Sequence, residues 1–105
     1  LYGDGCQVRD ILHVEDLLDA FELARKQVQT LSGRAYNIGG GPANAVSLRE
    51  VLRLIGRITG TEPATTAGAW RPGDQKYYVT AADRFRERTG WVPRLSAEEG
   101  LAHVY

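Results

Sequence analysis

Methionine is absent from the 105 residues, and cysteine occurs once, at Cys6. A lone cysteine excludes an intramolecular disulfide and any metal site built on paired cysteines. Lysine occurs only at Lys26 and Lys76. The residues four before them are Glu22 and Pro72, so no Tyr-x-x-x-Lys pair exists. His13 and His103 lie far apart in sequence, with no ligand-like spacing around either. No serine stands in a G-x-S-x-G elbow. No apolar run approaches the length of a membrane span and no signal peptide is visible, so the default location is the cytoplasm. Thirteen basic residues balance thirteen acidic ones. No net field therefore argues for nucleic acid or an acidic membrane as partner. Recognition of an anion must rest on a few placed arginines.

What is present suits a small globular unit. Hydrophobic residues make up 43% and charged residues 25%, enough for a modest core. A chain of this size buries a modest share of its surface, so its stability is expected to be marginal. The chain opens on Leu1-Tyr2-Gly3-Asp4-Gly5 with no methionine, and is expected to be a piece of a longer protein.

Gly3 and Gly5 around Asp4 mark a turn, and Gln7 to His13 suits a short strand or two. From Val14 to about Thr30 the spacing predicts one helix, with Val14, Leu17, Leu18, Phe21 and Ala24 on an apolar face. Glu15 and Asp16 occupy its first turn, at the positive end of the dipole. Ala35 to Ile38 reads as a strand, followed by the loop Gly39-Gly40-Gly41-Pro42. Ser47-Leu48-Arg49-Glu50 is a capping box opening a helix that stops at Gly60. Ala64 to Ala67 and Tyr77 to Val79 are candidate strands around a polar loop, Trp70 to Gln75. A helix runs from Ala82 to about Thr89, closed by Gly90. Ser96 with Glu99 opens the last one. The order predicts an α/β or mixed α+β fold.

Three polar loops stand out: Gly3 to Asp10, Asn37 to Asn44, and Arg71 to Gln75. The glycine run follows a strand and precedes a helix, but Asn44 stands where a third glycine of G-x-G-x-x-G belongs, and Pro42 removes an amide donor. A tight turn needing positive φ is the favoured role. Arg9 and Arg71 each sit beside a carboxylate and near a glycine. Guanidinium forks pair bidentately with diphosphate oxygens, and two converging from separate loops would bracket one. From spacing alone, two surface ion pairs worth ~0–1 kcal/mol each are the favoured account. His13 at a helix start is more often a cap or a packing residue than a catalyst. Trp70, Tyr77, Tyr78 and Trp91 are expected in a core or platform. Tyr77 and Tyr78 point to opposite faces if they lie on a strand.

Read together, the loops resemble a known family. The run Gly3-Asp4-Gly5-Cys6-Gln7-Val8-Arg9-Asp10-Ile11-Leu12-His13-Val14-Glu15-Asp16 is similar to a signature of extended short-chain dehydrogenases/reductases acting on nucleotide sugars. Tyr36-Asn37-Ile38-Gly39-Gly40-Gly41, Ser47-Leu48-Arg49-Glu50, Arg71-Pro72-Gly73-Asp74-Gln75, Thr89-Gly90-Trp91-Val92-Pro93 and Ser96-Ala97-Glu98-Glu99-Gly100-Leu101 follow in the family's order. Asn44 and the Arg-x-x-Asp-Gln run resemble its CDP-paratose (CDP-tyvelose) 2-epimerase branch. Nucleotide-sugar 4-epimerases and 4,6-dehydratases of the same family are the alternatives, and a stand-alone nucleotide-sugar-binding module is another.

The resemblance implies that residues 1–105 are the C-terminal, substrate-binding part of an NAD-dependent epimerase/dehydratase, without the Rossmann lobe. In the whole enzyme NAD takes a hydride from a sugar carbon and returns it. The family's cofactor loop and its Tyr-x-x-x-Lys pair lie upstream, so no catalytic, cofactor-binding or metal residue is expected here. By motif position Arg9 and Arg71 would bind the diphosphate, Asp74 the ribose hydroxyls, and Gln7 would lie near the base or ribose. Residues around 11–38 would pack on the missing lobe, with Ala35 to Ile38 joining its sheet. The chain alone is expected to self-associate, to bind no NAD tightly and to turn over no sugar. Two positions depart from the family. Cys6 stands where Lys or Arg is frequent, and Ala81 where Asp usually caps the following helix, a loss of about 0.5–2 kcal/mol unless Thr80 substitutes.

Overall fold

Three short strands form one mixed sheet in the order β2-β1-β3 in the computed structural model, which describes all 105 residues. β1 (Val8–Asp10) is central. It pairs antiparallel with β2 (Ala45–Ser47), Arg9 opposite Val46, and parallel with β3 (Tyr77–Tyr78), Arg9 opposite Tyr78. The five helices are α1 (Val14–Lys26), α2 (Val28–Leu31), α3 (Leu48–Thr59), α4 (Asp83–Thr89) and α5 (Ala97–Val104). The mixed α/β expectation holds.

Local chemistry accounts for the strongest elements. Ser47 Oγ accepts from the Glu50 amide while the Glu50 carboxylate accepts from the Ser47 amide, closing the predicted box at the start of α3. The bond from the Ser47 amide, then that from its hydroxyl, holds the Glu50 carboxyl below its ordinary range. α3 ends at Gly60 in the left-handed region. Ser96 Oγ likewise accepts from the Glu99 amide and caps α5. His13 caps α1, its Nδ1 accepting from the Glu15 amide at 3.2 Å.

Several expectations are corrected. The helix predicted from Val14 to Thr30 breaks at Gln27, and the bend turns Leu31 into the core while Val28 stays exposed. The face of α1 buried within this chain carries Asp16 and Ala20; Val14, Leu18 and Phe21 are exposed. Ala35 to Ile38 forms no strand, because no strand of the 105 residues lies beside it to complete a ladder, although Tyr36 and Ile38 pack on the core. Ala64 to Ala67 also stays outside the sheet; the neighbouring Gly68 makes only an isolated bridge to Tyr2. Ala45–Ser47 becomes a strand that no alternation announced. Tyr77 and Tyr78 are both exposed on a two-residue edge strand and join no core. α4 begins at Asp83 with no side-chain cap, and Thr80 does not substitute, because its amide and hydroxyl bond Asp10 instead.

Polar clasps hold these elements as much as apolar packing does. Fifteen of 105 residues are buried, and five of those are polar: Gln7, His13, Asp16, Asn44 and Thr80. The apolar cluster is Ala20, Leu31, Phe85 and Trp91, with Phe85 edge-on to both Tyr36 and Trp91. Beside it Asp16 is fully buried. Its Oδ1 accepts from the Arg94 amide at 3.0 Å, its Oδ2 from the Leu95 amide at 3.1 Å, and its backbone oxygen from Trp91 Nε1 at 3.1 Å. Asn44 continues the clasp, donating to Leu95 O and accepting from the Ala97 amide. The segment from Trp91 to Ala97 is thereby tied to α1.

Asp16→Ala leaves two amides and their surroundings without an acceptor. The expected loss is about 3 kcal/mol or more, a large part of the stability of a domain this small. Urea unfolding followed by tryptophan fluorescence measures it; an unchanged midpoint would show that the clasp contributes nothing.

Candidate functional site

The loop from Gly3 to Gln7 is fixed before any ligand arrives. The first free amides of α3 are satisfied by it: Leu48 N donates to Gln7 O at 3.2 Å and Arg49 N to Gly5 O at 3.0 Å. Arg49 Nε donates to Asp4 O, and the Cys6 amide to Asp4 Oδ1. Gln7 therefore sits where β1, α3 and the loop meet. Its Nε2 donates to Tyr2 O at 2.5 Å.

Arg9, on β1, and Arg71, in the loop before β3, converge on one carboxylate. Arg9 Nη2 lies 3.3 Å from Asp74 Oδ1 and Arg71 Nη2 lies 3.8 Å from Asp74 Oδ2. The Arg71 guanidinium also stacks on the Tyr2 ring, 4.6 Å from its centroid. Sequence neighbours suggested an Arg9–Asp10 pair. The structure gives Arg9 to Asp74 instead, 65 residues away. Two guanidiniums against one carboxylate leave a local excess of positive charge. Asp74 is nearly buried, its side chain 11% exposed, whereas those of Arg9 and Arg71 are 37% and 61% exposed. The forks thus face water from an anchored base.

All four residues singled out from the sequence line one cavity of about 310 Å³: Gln7, Arg9, Arg71 and Asp74, with Leu1, Tyr2 and Leu48. Tyr2 and Leu48 were not singled out. Their only sequence signal is adjacency, Tyr2 to the Gly3–Gly5 turn and Leu48 to the capping serine. A larger cavity of about 680 Å³ lies elsewhere, between the glycine loop, Val79 to Asp83 and Val92 to Ser96. Each of its guanidiniums holds a carboxylate of its own at 2.8 Å, Arg86 with Asp83 and Arg94 with Asp19, whereas Arg9 and Arg71 share one. The smaller cavity has the better donor set for an anion.

The glycine loop serves Asp10. Asp10 Oδ2 accepts from the Gly41 amide at 2.9 Å and the Thr80 amide at 3.0 Å. Gly41 has φ 75°, as a turn requires, but Gly39 and Gly40 are needed for close approach. A Cβ on Gly39 would overlap Thr80 Oγ1 and the Asp10 carboxylate, and one on Gly40 would overlap Ile11 O. The Gly41 amide that a phosphate would use is already donated. Burial opposes ionisation of Asp10, but the Gly41 amide and the Thr80 hydroxyl and amide outweigh it and lower its pKa.

The two histidines, remote in sequence, are in contact. His103 Nδ1 lies 3.1 Å from His13 Nε2, and the Glu15 carboxylate is within 4.8 Å of both rings' ligand atoms. Because His13 Nδ1 accepts the α1 cap bond, its Nε2 carries the proton and donates to His103. A metal ion on Nε2 would displace that proton and forfeit the cap.

Residues 1–39 match the model of the NAD dependent epimerase/dehydratase family. The chain is 33% identical over 103 residues to CDP-paratose 2-epimerase of Salmonella typhi, covering 98% of this chain and 30% of that protein. It is 37% identical over 98 residues to UDP-glucose 4-epimerase of Azospirillum brasilense, covering 93% of this chain and 28% of that protein. MoeE5, solved in complex with UDP-glucuronic acid and NAD, superposes with a TM-score of 0.80 at 36% identity, over 97% of this chain and 33% of that one. The chain belongs to the NAD-dependent epimerase/dehydratase family of extended short-chain dehydrogenases/reductases. It spans less than a third of the length of these curated relatives and carries that part of the family's α/β fold. No helix in it is long and apolar enough to cross a membrane.

The Asp10 clasp has a pH signature. A carboxyl whose folded pKa is depressed contributes stability above its unfolded pKa, near 3.8, and loses it as pH falls through the folded value. Asp10→Asn is expected to be less stable than the parent at neutral pH and to show a shallower loss of stability below pH about 4. Urea midpoints measured from pH 7 down to pH 3 give both curves. Parallel curves would show that ionised Asp10 is not what holds Gly41 and Thr80.

Proposed function

We propose that these 105 residues form the nucleotide-sugar-diphosphate-binding portion of an NAD-dependent nucleotide-sugar epimerase, of the CDP-paratose 2-epimerase kind. The observation that carries this is the convergence of Arg9 and Arg71 on Asp74 at the wall of one cavity. A diphosphate entering between the forks replaces part of their bonding to Asp74 with charge-assisted pairs of its own. Asp74 keeps lone pairs free for ribose hydroxyls. The relatives support the substrate class, since MoeE5 was solved with UDP-glucuronic acid and NAD. Asn44 beside the glycine loop and the Arg71-Pro72-Gly73-Asp74-Gln75 run are what favour the branch; overall identity does not, at 33% to the Salmonella protein and 37% to the Azospirillum 4-epimerase.

The chain's own part in such a reaction is to hold and orient. Residues here do not fit NAD: the glycine loop has its Gly41 amide engaged by Asp10, and no Tyr-x-x-x-Lys pair exists. Hydride transfer is the chemistry NAD supplies to such an enzyme. Gripping the diphosphate stabilises ground and transition states alike, so it fixes the sugar's position without lowering the chemical barrier. Residues around 11–38 pack on the cofactor lobe in this scheme. The outward apolar stripe of α1, Val14, Leu18 and Phe21, is the face available for that contact. The site of action is the cytoplasm.

Calorimetric titration with CDP and UDP tests the binding site. The parent chain is expected to bind weakly, and Arg9→Ala or Arg71→Ala to lower affinity about tenfold or more. If both variants bind like the parent, the diphosphate lies elsewhere; if the parent binds neither nucleotide, the binding role fails for this chain. The exposed stripe of α1 also predicts self-association of the chain on its own. Light scattering that reports a single-chain mass over a wide concentration range would rule that out.

A further inference from the structure

Arg9 and Arg71 face one cavity but are held in different ways. Arg9 spends donor edges on the protein: Nη1 donates to Val8 O at 2.8 Å and Nη2 to Asp74 Oδ1 at 3.3 Å. Arg71 approaches Asp74 only to 3.8 Å, beyond hydrogen-bonding range, and its side chain is mostly exposed. A long side chain with so loose an ion pair ordinarily keeps much of its rotamer freedom. What holds Arg71 is the ring of Tyr2, whose centroid lies 4.6 Å from the guanidinium carbon.

The ring is itself fixed. Gln7 Nε2 donates to Tyr2 O, the Gly3 amide to Gly68 O and the Gly68 amide to Leu1 O, so the backbone is pinned at Tyr2 and on both sides of it. The neighbours of the two residues also meet: Gly3 lies so close to the Trp70 indole that a Cβ on it would overlap the ring. Tyr2-Gly3 and Trp70-Arg71 therefore lie side by side, and backbone placement brings the guanidinium over the ring.

The two holds differ in what they leave over. A guanidinium carries its five N–H donors in its plane, along its edges. A close ion pair consumes those edges. An aromatic face attracts the cation through its flat side and leaves the edges free. An arginine parked on a ring can take phosphate oxygens without first giving up a short ion pair, and it has less side-chain freedom to lose when they arrive.

We propose that Tyr2 is a positioning residue for the diphosphate: its ring holds Arg71 by the face and keeps that fork's donor edges at the cavity. The proposal rests on the nucleotide-binding role above and adds to it what keeps the second arginine in place. Tyr2 acts through Arg71 and not on the phosphate itself. The phenol hydroxyl has no part in this, so a phenylalanine ring should serve as well.

Calorimetric titration with CDP and UDP compares the parent chain with Tyr2→Phe and Tyr2→Leu. Tyr2→Leu is expected to weaken binding about fivefold, and Tyr2→Phe to stay within about twofold of the parent. Proton NMR separates this role from a ring that touches the ligand directly. In the parent the Arg71 δ-methylene resonance should lie upfield of the ordinary arginine position, both free and with CDP saturating, and should return to it in Tyr2→Leu. If Tyr2→Leu does not fold, the parent spectra and Tyr2→Phe decide. Full affinity in Tyr2→Leu, a fivefold loss in Tyr2→Phe, no upfield shift, or a shift that CDP abolishes overturns the role of Tyr2 and leaves the diphosphate site standing. A parent that binds neither nucleotide overturns both.

Discussion

The carboxylate of Asp16 has no access to water, yet it meets its hydrogen-bonding needs from the backbone of a segment more than 70 residues away. Much else follows from that arrangement. The Arg94 and Leu95 amides fix the extended stretch after α4, and Trp91 is drawn over α1 by the bond from its indole to Asp16 O. Phe85 and Trp91 can then close the core on Ala20 and Leu31. Leu95 O and the Ala97 amide are left facing Asn44, which bonds both and joins the turn before β2 to the start of α5. In a chain with so few buried apolar residues, charge-assisted bonds to backbone do what a larger core does elsewhere.

The same economy shapes the region around Arg9. Asp10 neighbours Arg9 in sequence and Asp74 neighbours it in space, but they serve different ends. Asp10 turns away from the guanidiniums and gathers Gly41 and Thr80, which positions β3 beside β1. Asp74 faces the guanidiniums and holds both forks at one cavity wall. Had Arg9 paired with its neighbour Asp10, the glycine loop would lose its clasp and Arg71 its companion. The conformation of the Gly39–Gly41 loop follows from Asp10 and from steric contact.

Much of this was legible in the chain's letters. Ser47 with Glu50 and Ser96 with Glu99 announced two helix starts, and Gly60 and Gly90 two helix stops, because caps are satisfied by residues three or four positions away. The order of the loop motifs announced the family, and with it the four residues that the fold brings to one cavity. Local chemistry could not show that Gln27 interrupts α1, since the bend depends on where Leu31 must go. Nor could it show which side of α1 turns inward, because Val14-Leu18-Phe21 and Ala20-Leu23-Ala24 are both apolar.

Sequence by itself determined what short-range bonding decides: the helix ends, the turns, the mixed α/β character and the kinds of side chain available for an anion. Tertiary structure alone decided which charges meet. Arg9 reaches Asp74 and not Asp10, His13 finds His103 across 90 residues, and Thr80 is taken by Asp10 rather than by α4. The physical reason is range. A cap or turn is settled within a few residues, whereas a buried carboxylate takes whichever donors the whole fold brings within about 3 Å, and spacing along the chain does not encode that choice.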